Sequence, residues 1–385
     1  MNILYRVGAR NERPDRTGFA HLFEHLMFRG TRRIPNFDLP VQMAAGDNNA
    51  FTNNDYTDFY ITLPKDNIET ALWLESDRME GLDITSEKLE TEKRVVIEEF
   101  RQRYLNQPYG DQQMLLRALA YKVHPYRWST IGLTPDHIAA ASLDEVRRFY
   151  RDHYHPGNAI LSLSADIDEE RMLDLAERYF GQIAPRTVTE EPIAQEPPQR
   201  EARREEVERD VPATAISIAY HMGDRLSPDF YTADLVSDLL AGGDSGRLYN
   251  RLVKERRLLA SVNAYITGDR DPGLFVFTGQ LLPETTPEQA EEALLGEMEE
   301  LCRTPAGDYE TEKVKNKFEA NTLFGELNVM NKAMNLGFYE MLGDLALINA
   351  EVDRYRSVTA DDIIDFSRRT FRAENSSTLI YKARS

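Results

Sequence analysis

Ser142-Leu143-Asp144-Glu145-Val146-Arg147-Arg148-Phe149-Tyr150-Arg151-Asp152-His153-Tyr154 and, 217 residues further on, Thr359-Ala360-Asp361-Asp362-Ile363-Ile364-Asp365-Phe366-Ser367-Arg368-Arg369-Thr370-Phe371 carry one pattern twice. Each opens on a Ser or Thr cap with acidic residues in the first turn, the signature of a helix start. Each continues as an amphipathic helix, and at the same offset Asn158 meets Asn375. A short strand follows in both copies, Ala159-Ile-Leu-Ser-Leu-Ser164 and Thr378-Leu-Ile-Tyr381. A repeat this long predicts an internal duplication.

Outward from the repeat, Thr57–Leu63, Ala215–Tyr220 and Leu274–Thr278 read as further strands. Helical periodicity covers 66–80, 87–107, 168–180, 229–241, 287–303 and 310–342. The expected fold class is therefore α+β: two related layered domains, each a mainly antiparallel sheet with helices packed on one face. Residues 186–211 lack apolar periodicity and are rich in Pro and charge (Glu190-Glu191-Pro192, Glu196-Pro197-Pro198, Glu201-Ala-Arg-Arg-Glu-Glu206). They are the expected linker between domains at 1–185 and 212–385.

The chain has 385 residues, with 65 acidic against 46 basic side chains and a net charge of −19. That length suits two ordinary domains. Spread negative charge repels phosphate backbones, so nucleic acid is not an expected partner. No apolar run approaches the ~18 residues of a membrane span. The single cysteine, Cys302, makes no internal disulfide, and a zinc site would have to use His, Asp and Glu. Met1–Gly8 reads as the middle of a strand rather than a signal peptide, so a start further upstream is expected. The compartment follows from that start: cytoplasmic as the chain stands, periplasmic if an export signal precedes it.

Phe19-Ala-His21-Leu-Phe-Glu24-His25-Leu-Met-Phe28 holds the chemistry. On a helix, His21 and His25 are one turn apart and can offer two imidazole nitrogens to one cation, with Glu24 beside them. The other side chains of this window are apolar, so three polar groups on a buried helix need partners. One zinc ion would satisfy both imidazoles, and a water held by it would satisfy Glu24. His-x-x-Glu-His is the inverted form of the commoner zinc-peptidase helix. The third ligand is expected from another helix. In Leu89-Glu-Thr-Glu92-Lys-Arg-Val-Val-Ile-Glu98-Glu99-Phe100, Glu92 and Glu99 stack two turns apart on one face, whereas Glu98 is rotated by about 100°. Glu99 is the ligand candidate and Glu92 the carboxylate that supports the centre from behind.

Together these motifs resemble the pitrilysin or insulinase family of zinc peptidases (M16), which includes insulin-degrading enzyme and the mitochondrial processing peptidase. Glu99 lies 74 residues after His25 with Glu92 seven before it, as the family's pattern requires. Gly18-Phe-Ala, Phe28-Arg-Gly30-Thr31, Asn49-Ala50-Phe51-Thr52, Glu75-Ser-Asp-Arg78-Met and His124-Pro125-Tyr126 look like the family's flanking motifs. The resemblance implies a metalloendopeptidase with one zinc on His21, His25 and Glu99 and with Glu24 as general base. It also implies that Asn49, Ala50, Phe51 and Thr52 form an edge strand that pairs with extended peptide substrate.

One departure stands out. Active members complete the site with an Arg and a Tyr seven residues apart in the second domain. Aligned on Arg247-Leu248 and Ser261-Val262, those positions here are Val253 and Ala260, which donate no side-chain hydrogen bond. The expectation is a zinc-bearing subunit that pairs with a homologous M16 subunit, as a hetero- or homodimer; local substitution by Arg251 or Arg256 is the lesser alternative. The reading from a different class is a non-catalytic assembly subunit like the family's core proteins in respiratory complexes, against which retention of His21, Glu24, His25 and Glu99 argues. Ala241-Gly-Gly-Asp-Ser-Gly246 lacks the Gly-Lys-Ser/Thr ending of a phosphate loop, so it reads as a helix connection. His137, His153, His155 and His221 read as structural, and Cys302 as inert.

Overall fold

The computed structural model describes residues 1–187 and 192–384, which fall into two compact units. The first comprises Met1–Arg103, His124–Ala194 and Phe324–Ile348. Its sheet has four antiparallel strands, β1 (Asn2–Tyr5), β2 (Asp47–Thr52), β3 (Thr57–Thr62) and β4 (Ala159–Ser162), in the order β2-β3-β1-β4. Alternation along β1 sends Tyr5 to one face, where its ring meets Phe59 at 5.9 Å and Tyr154 at 4.8 Å. Asn2 and Leu4 point to the other face, which is covered by the helix Val329–Leu342 from late in the chain. That helix comes close because Gly337 lacks a side chain: a Cβ there would lie 3.0 Å from Asn2 Nδ2.

The second unit comprises Tyr104–Val123, Gln195–Leu323 and the residues from Asn349 on. Its five strands are β5 (Arg203–Arg209), β6 (Ala215–His221), β7 (Leu259–Ile266), β8 (Leu274–Leu281) and β9 (Ser376–Ala383), ordered β5-β9-β6-β8-β7. All pairings are antiparallel except β5 with β9. Ile216, Ile218, Phe275, Phe277, Ile363 and Phe366 belong to one buried core.

The duplication is present down to single hydrogen bonds. Ser142 with Glu145 and Thr359 with Asp362 each form a capping box. Asn158 Nδ2 donates to His153 O at 2.9 Å, and at the same offset Asn375 Nδ2 donates to Thr370 O at 2.9 Å. A short 3-10 turn then leads into β4 in one copy and β9 in the other.

The expected domain limits differ from the units in two ways. The change of unit falls at Ala194/Gln195, and the expected linker contains β5; Glu190 and Glu191 lie outside the described residues. β5 has no apolar alternation to mark it, because it is an edge strand with charge on both faces, Arg-Arg-Glu-Glu-Val-Glu-Arg, a composition that blunts edge pairing. The halves also exchange segments: residues 104–123 belong to the second unit and 324–348 to the first. The periodicity expected over 310–342 is two helices, Asp308–Gly325 and Val329–Leu342, the second capped by the Asn328 side chain on Met330 N. Among the described residues no helix is long and apolar enough to cross a membrane.

Glu75 and Arg78, on the helix Ile68–Glu80, form an ion pair with both side chains 1% exposed. The guanidinium lies 4.3 Å from the Phe37 ring centroid and 4.4 Å from that of Phe59. Removing one partner strands the other charge in the core. Arg78→Leu should therefore destabilise the protein by about 3–5 kcal/mol, read from urea unfolding followed by circular dichroism; an unchanged midpoint would refute a structural role for the pair.

Candidate metal centre

The helix Phe19–Leu26 buries Phe19, Ala20, Leu22, Phe23 and Leu26, which leaves His21, Glu24 and His25 on its remaining face. Its entry is constrained. Gly18 adopts φ +89°, and a Cβ there would lie 2.7 Å from Ile131 O, so glycine is required. A glycine cap has no side chain to satisfy the first N–H groups. Glu12 does this instead: its Oε2 accepts from Gly18 N and its Oε1 from Ala20 N, both at 2.8 Å. Burial pushes the Glu12 carboxyl up to about 8, with the backbone donors pulling the other way.

Glu92 and Glu99 ride on the helix Ser86–Phe100, which starts where Thr85 Oγ1 accepts from Lys88 N at 3.2 Å. His21 Nε2 and His25 Nε2 each lie 3.3 Å from Glu99 Oε2, and the three donor atoms lie within 4.8 Å of one another. Tetrahedral zinc with bonds of about 2.0–2.1 Å sets its ligand atoms roughly 3.3–3.4 Å apart. Glu99 Oε2 stands at this spacing from both imidazole nitrogens, and the three atoms are close enough together to share one zinc ion. Among the described residues this is the group of three that could hold a metal.

Around these atoms stands a second layer of charge. His25 Nδ1 faces Glu92 Oε2 at 3.5 Å, and Glu92, 2% exposed, also pairs with Arg29. His21 Nδ1 faces Glu24 Oε2 at 3.3 Å, and that oxygen accepts from Thr52 Oγ1 at 2.7 Å. Glu99 Oε1 pairs with Arg103 Nη1 at 2.8 Å. Each imidazole thus has a carboxylate at both nitrogens. Burial alone would lower the pKa of His25, but hydrogen bonds to Glu92 and Glu99 outweigh it and raise it to about 9. His21 is raised in the same way by Glu24 and Glu99. Its hydrogen bonds from His21 and His25 hold Glu99 far below the usual carboxylate range. For Glu24, burial pushes upward but hydrogen bonding to His21 prevails, and the group stays low.

Asn49, Ala50, Phe51 and Thr52 lie on β2, the edge strand of the first sheet, with Asn49 opposite Tyr60 and Thr52 opposite Thr57. Thr52 reaches the site through Glu24, whereas the Phe51 ring packs 5.7 Å from Tyr56. Four contributors to the site have partners that no sequence motif announces: Thr52 at Glu24, Glu12 at the helix entry, Arg29 at Glu92 and Arg103 at Glu99. Only Arg103, four residues after Glu99, carried a local signal.

In the second unit, Val253 lies in the π-wound segment Tyr249–Glu255 and packs against that unit's core. Ala260 falls at an irregularity of β7, between Leu259 and Ser261. Arg251 is committed elsewhere: Nη1 pairs with Glu297 at 2.6 Å and Nη2 with Glu300 at 3.0 Å. His137 meets Thr17 Oγ1 at 2.8 Å, His221 meets Ala120 O at 3.0 Å, His153 packs at a tilt against Phe149 with ring centroids 4.5 Å apart, and His155 Nδ1 accepts from Arg186 N. Burial pushes the Cys302 thiol up, away from reactivity. Gly243–Ser245 is a 3-10 turn after the helix Phe230–Ala241.

Residues 2–132 match the family described as insulinase (peptidase family M16), and residues 140–318 match the one described as the peptidase M16 inactive domain. The chain belongs to the M16 family of peptidases. It is 26% identical over 389 residues to zinc protease PqqE of Helicobacter pylori, covering 99% of this chain and 87% of that one. It is 25% identical over 291 residues to a probable mitochondrial-processing peptidase β subunit of Schizosaccharomyces pombe, covering 70% of this chain and 61% of that one. A crystal structure of a protease from Helicobacter pylori superposes with a TM-score of 0.93 at 26% identity, covering 99% of this chain and 92% of that chain.

Metal uptake should depend on pH in a defined sense. The histidine pKa values are raised above the ordinary 6.5, that of His25 to about 9, so metal must displace protons from the free protein below that pH. Zinc affinity, measured against a chromophoric chelator, should rise from pH 6 to 9. Metal-free protein should respond the opposite way. The stability that the raised His25 pKa contributes is full below about 6.5 and is lost as pH climbs through 9. Its melting temperature should fall across that interval, and zinc affinity that stays level from pH 6 to 9 would contradict the assignment.

Proposed function

We propose that this chain is the metal-bearing subunit of a zinc endopeptidase that hydrolyses peptides or unfolded protein segments bound in extended form. The observation that carries the reading is the set of three donor atoms with 3.3 Å spacings from Glu99 Oε2, next to a carboxylate, Glu24, that is oriented by Thr52. Zinc, when bound by His21, His25 and Glu99, supplies Lewis acidity that lowers the pKa of a coordinated water and polarises the scissile carbonyl.

The remaining work falls to side chains. Glu24 is held ionised at neutral pH by its neighbours, so it is ready to accept a proton. The Thr52 hydroxyl fixes Glu24 Oε2, which keeps the acceptor from swinging away. Protonated Glu24 then returns the proton to the departing amine nitrogen. Glu92 holds His25 through Nδ1 and so orients its Nε2. The free edge of β2 offers backbone donors and acceptors to an extended peptide, a mode that tolerates many side chains.

The chain pairs, in this proposal, with a homologous M16 subunit that supplies the Arg and Tyr absent at Val253 and Ala260. The commitment of Arg251 to Glu297 and Glu300 supports that division. The relative in Schizosaccharomyces pombe is itself named as a subunit.

Glu24→Gln should bind zinc as the wild type does yet lose about 10²–10⁴-fold in turnover of a quenched fluorescent peptide; wild-type turnover would eliminate the general-base role. The isolated chain should be weakly active and gain activity when mixed with a homologous chain that has Arg and Tyr at these positions. Full activity of the isolated monomer would overturn obligate pairing. A wild-type zinc content near zero would favour the assembly-subunit reading.

A further inference from the structure

The helix that carries Glu99 does not end where its α-winding ends. From Phe100 it runs directly into a π-wound turn, Arg101–Leu105. Wide turns of this kind are rare and cluster at functional sites. Here the wide turn carries Arg103, four residues beyond Glu99, and sets its Nη1 2.8 Å from Glu99 Oε1.

The two oxygens of Glu99 therefore have different tasks. Oε2 faces both imidazoles at 3.3 Å, whereas Oε1 is turned towards a guanidinium. A carboxylate can hold zinc through one oxygen or through both. Two-oxygen binding would crowd the position that a catalytic zinc keeps open beyond its three protein ligands. A charge-assisted hydrogen bond at 2.8 Å competes directly for the second oxygen. The neighbouring carboxylate repeats the arrangement: Glu92 faces His25 Nδ1 with Oε2 and pairs with Arg29 through Oε1.

We propose that Arg103 is a positioning residue that keeps Glu99 to one-oxygen coordination and so reserves the fourth position on the metal for the reacting oxygen. The proposal rests on the zinc-site reading given above. The competing view is an ordinary exposed ion pair between residues four apart, which contributes little to stability. Arg103 is 66% exposed and Glu99 17%, so the two views diverge only at the metal. Exposure also makes Arg103 replaceable without harm to the fold.

The test uses the full chain loaded with cobalt(II), whose visible absorption is strong in four-coordinate sites and several-fold weaker in five-coordinate ones. Arg103→Met should bind one equivalent of cobalt but show a marked loss of visible intensity as Glu99 takes up its second oxygen. Arg103→Lys, which keeps a cationic donor, should stay near the wild-type spectrum. Peptide turnover of the zinc form of Arg103→Met, assayed with the partner subunit, should fall about 10–100-fold, the range typical of groups that orient a metal ligand. An Arg103→Met spectrum identical to wild type would overturn the proposal and leave the peptidase reading intact. Wild-type protein that binds cobalt yet hydrolyses no peptide with its partner would sink the peptidase reading, while the spectral comparison still decides the role of Arg103. Wild-type protein that takes up no cobalt would overturn both.

Discussion

Two imidazole nitrogens and a carboxylate oxygen have to be held within a few ångströms of one another although mutual solvation would pull each towards water. That constraint explains much of the first unit. The helix bearing His21 and His25 has eight residues, too few to be stable alone. Its position comes from the burial of Phe19, Leu22, Phe23 and Leu26 and from Glu12, which satisfies the N–H groups that a glycine entry leaves bare. The second helix is longer and carries its own cap, but it too is tied at the site, with Glu92 buried against His25 and Arg29. The donors are thus placed by the fold before any cation arrives.

Charge is arranged with the same economy. Glu24, Glu92 and Glu99 converge on two imidazoles, and raised histidine and lowered Glu24 and Glu99 pKa values express their mutual attraction. Without metal, these carboxylates favour the protonated imidazoles. In the proposed zinc form a divalent cation would take the place of those protons, while Arg29 and Arg103 pair with Glu92 and Glu99 from outside. The affinity for metal and the protonation of the free site are therefore one property seen from two sides.

What was legible in the sequence is what is local. His21, Glu24 and His25 share a face because they are three and four residues apart, and Glu92 and Glu99 stack because they are seven apart. The repeat at 142–154 and 359–371 was legible because caps and amphipathic periods are written in neighbouring residues. Glu12 was hidden because it caps from six and eight residues away through a loop, with no box motif. Thr52 was read as part of a substrate strand, and its hydroxyl contact with Glu24 depends on how β2 packs beneath the metal helix. β5 was hidden because a charged edge strand has no apolar face to alternate. The exchange of 104–123 and 324–348 was hidden for a more general reason: periodicity tells which face of a helix is buried and says nothing of which sheet buries it. Gly337 lies where the helix Val329–Leu342 meets the sheet: a Cβ there would stand 3.0 Å from Asn2 Nδ2 and 3.2 Å from Ser162 Oγ.

The duplicated halves show how one scaffold accommodates opposite polar solutions. In the first unit, the first α-helix after β1 presents two imidazoles and a carboxylate that face further carboxylates on the helix Ser86–Phe100. In the second, the first long helix after β6 is Phe230–Ala241, and its polar contacts close on themselves. Tyr231 donates to Glu351 Oε1 at 2.8 Å, and Arg225 Nη2 pairs with the same oxygen at 2.9 Å. A carboxylate already neutralised by a buried guanidinium has no call for a metal. Val253 in turn packs its side chain against the core of this unit.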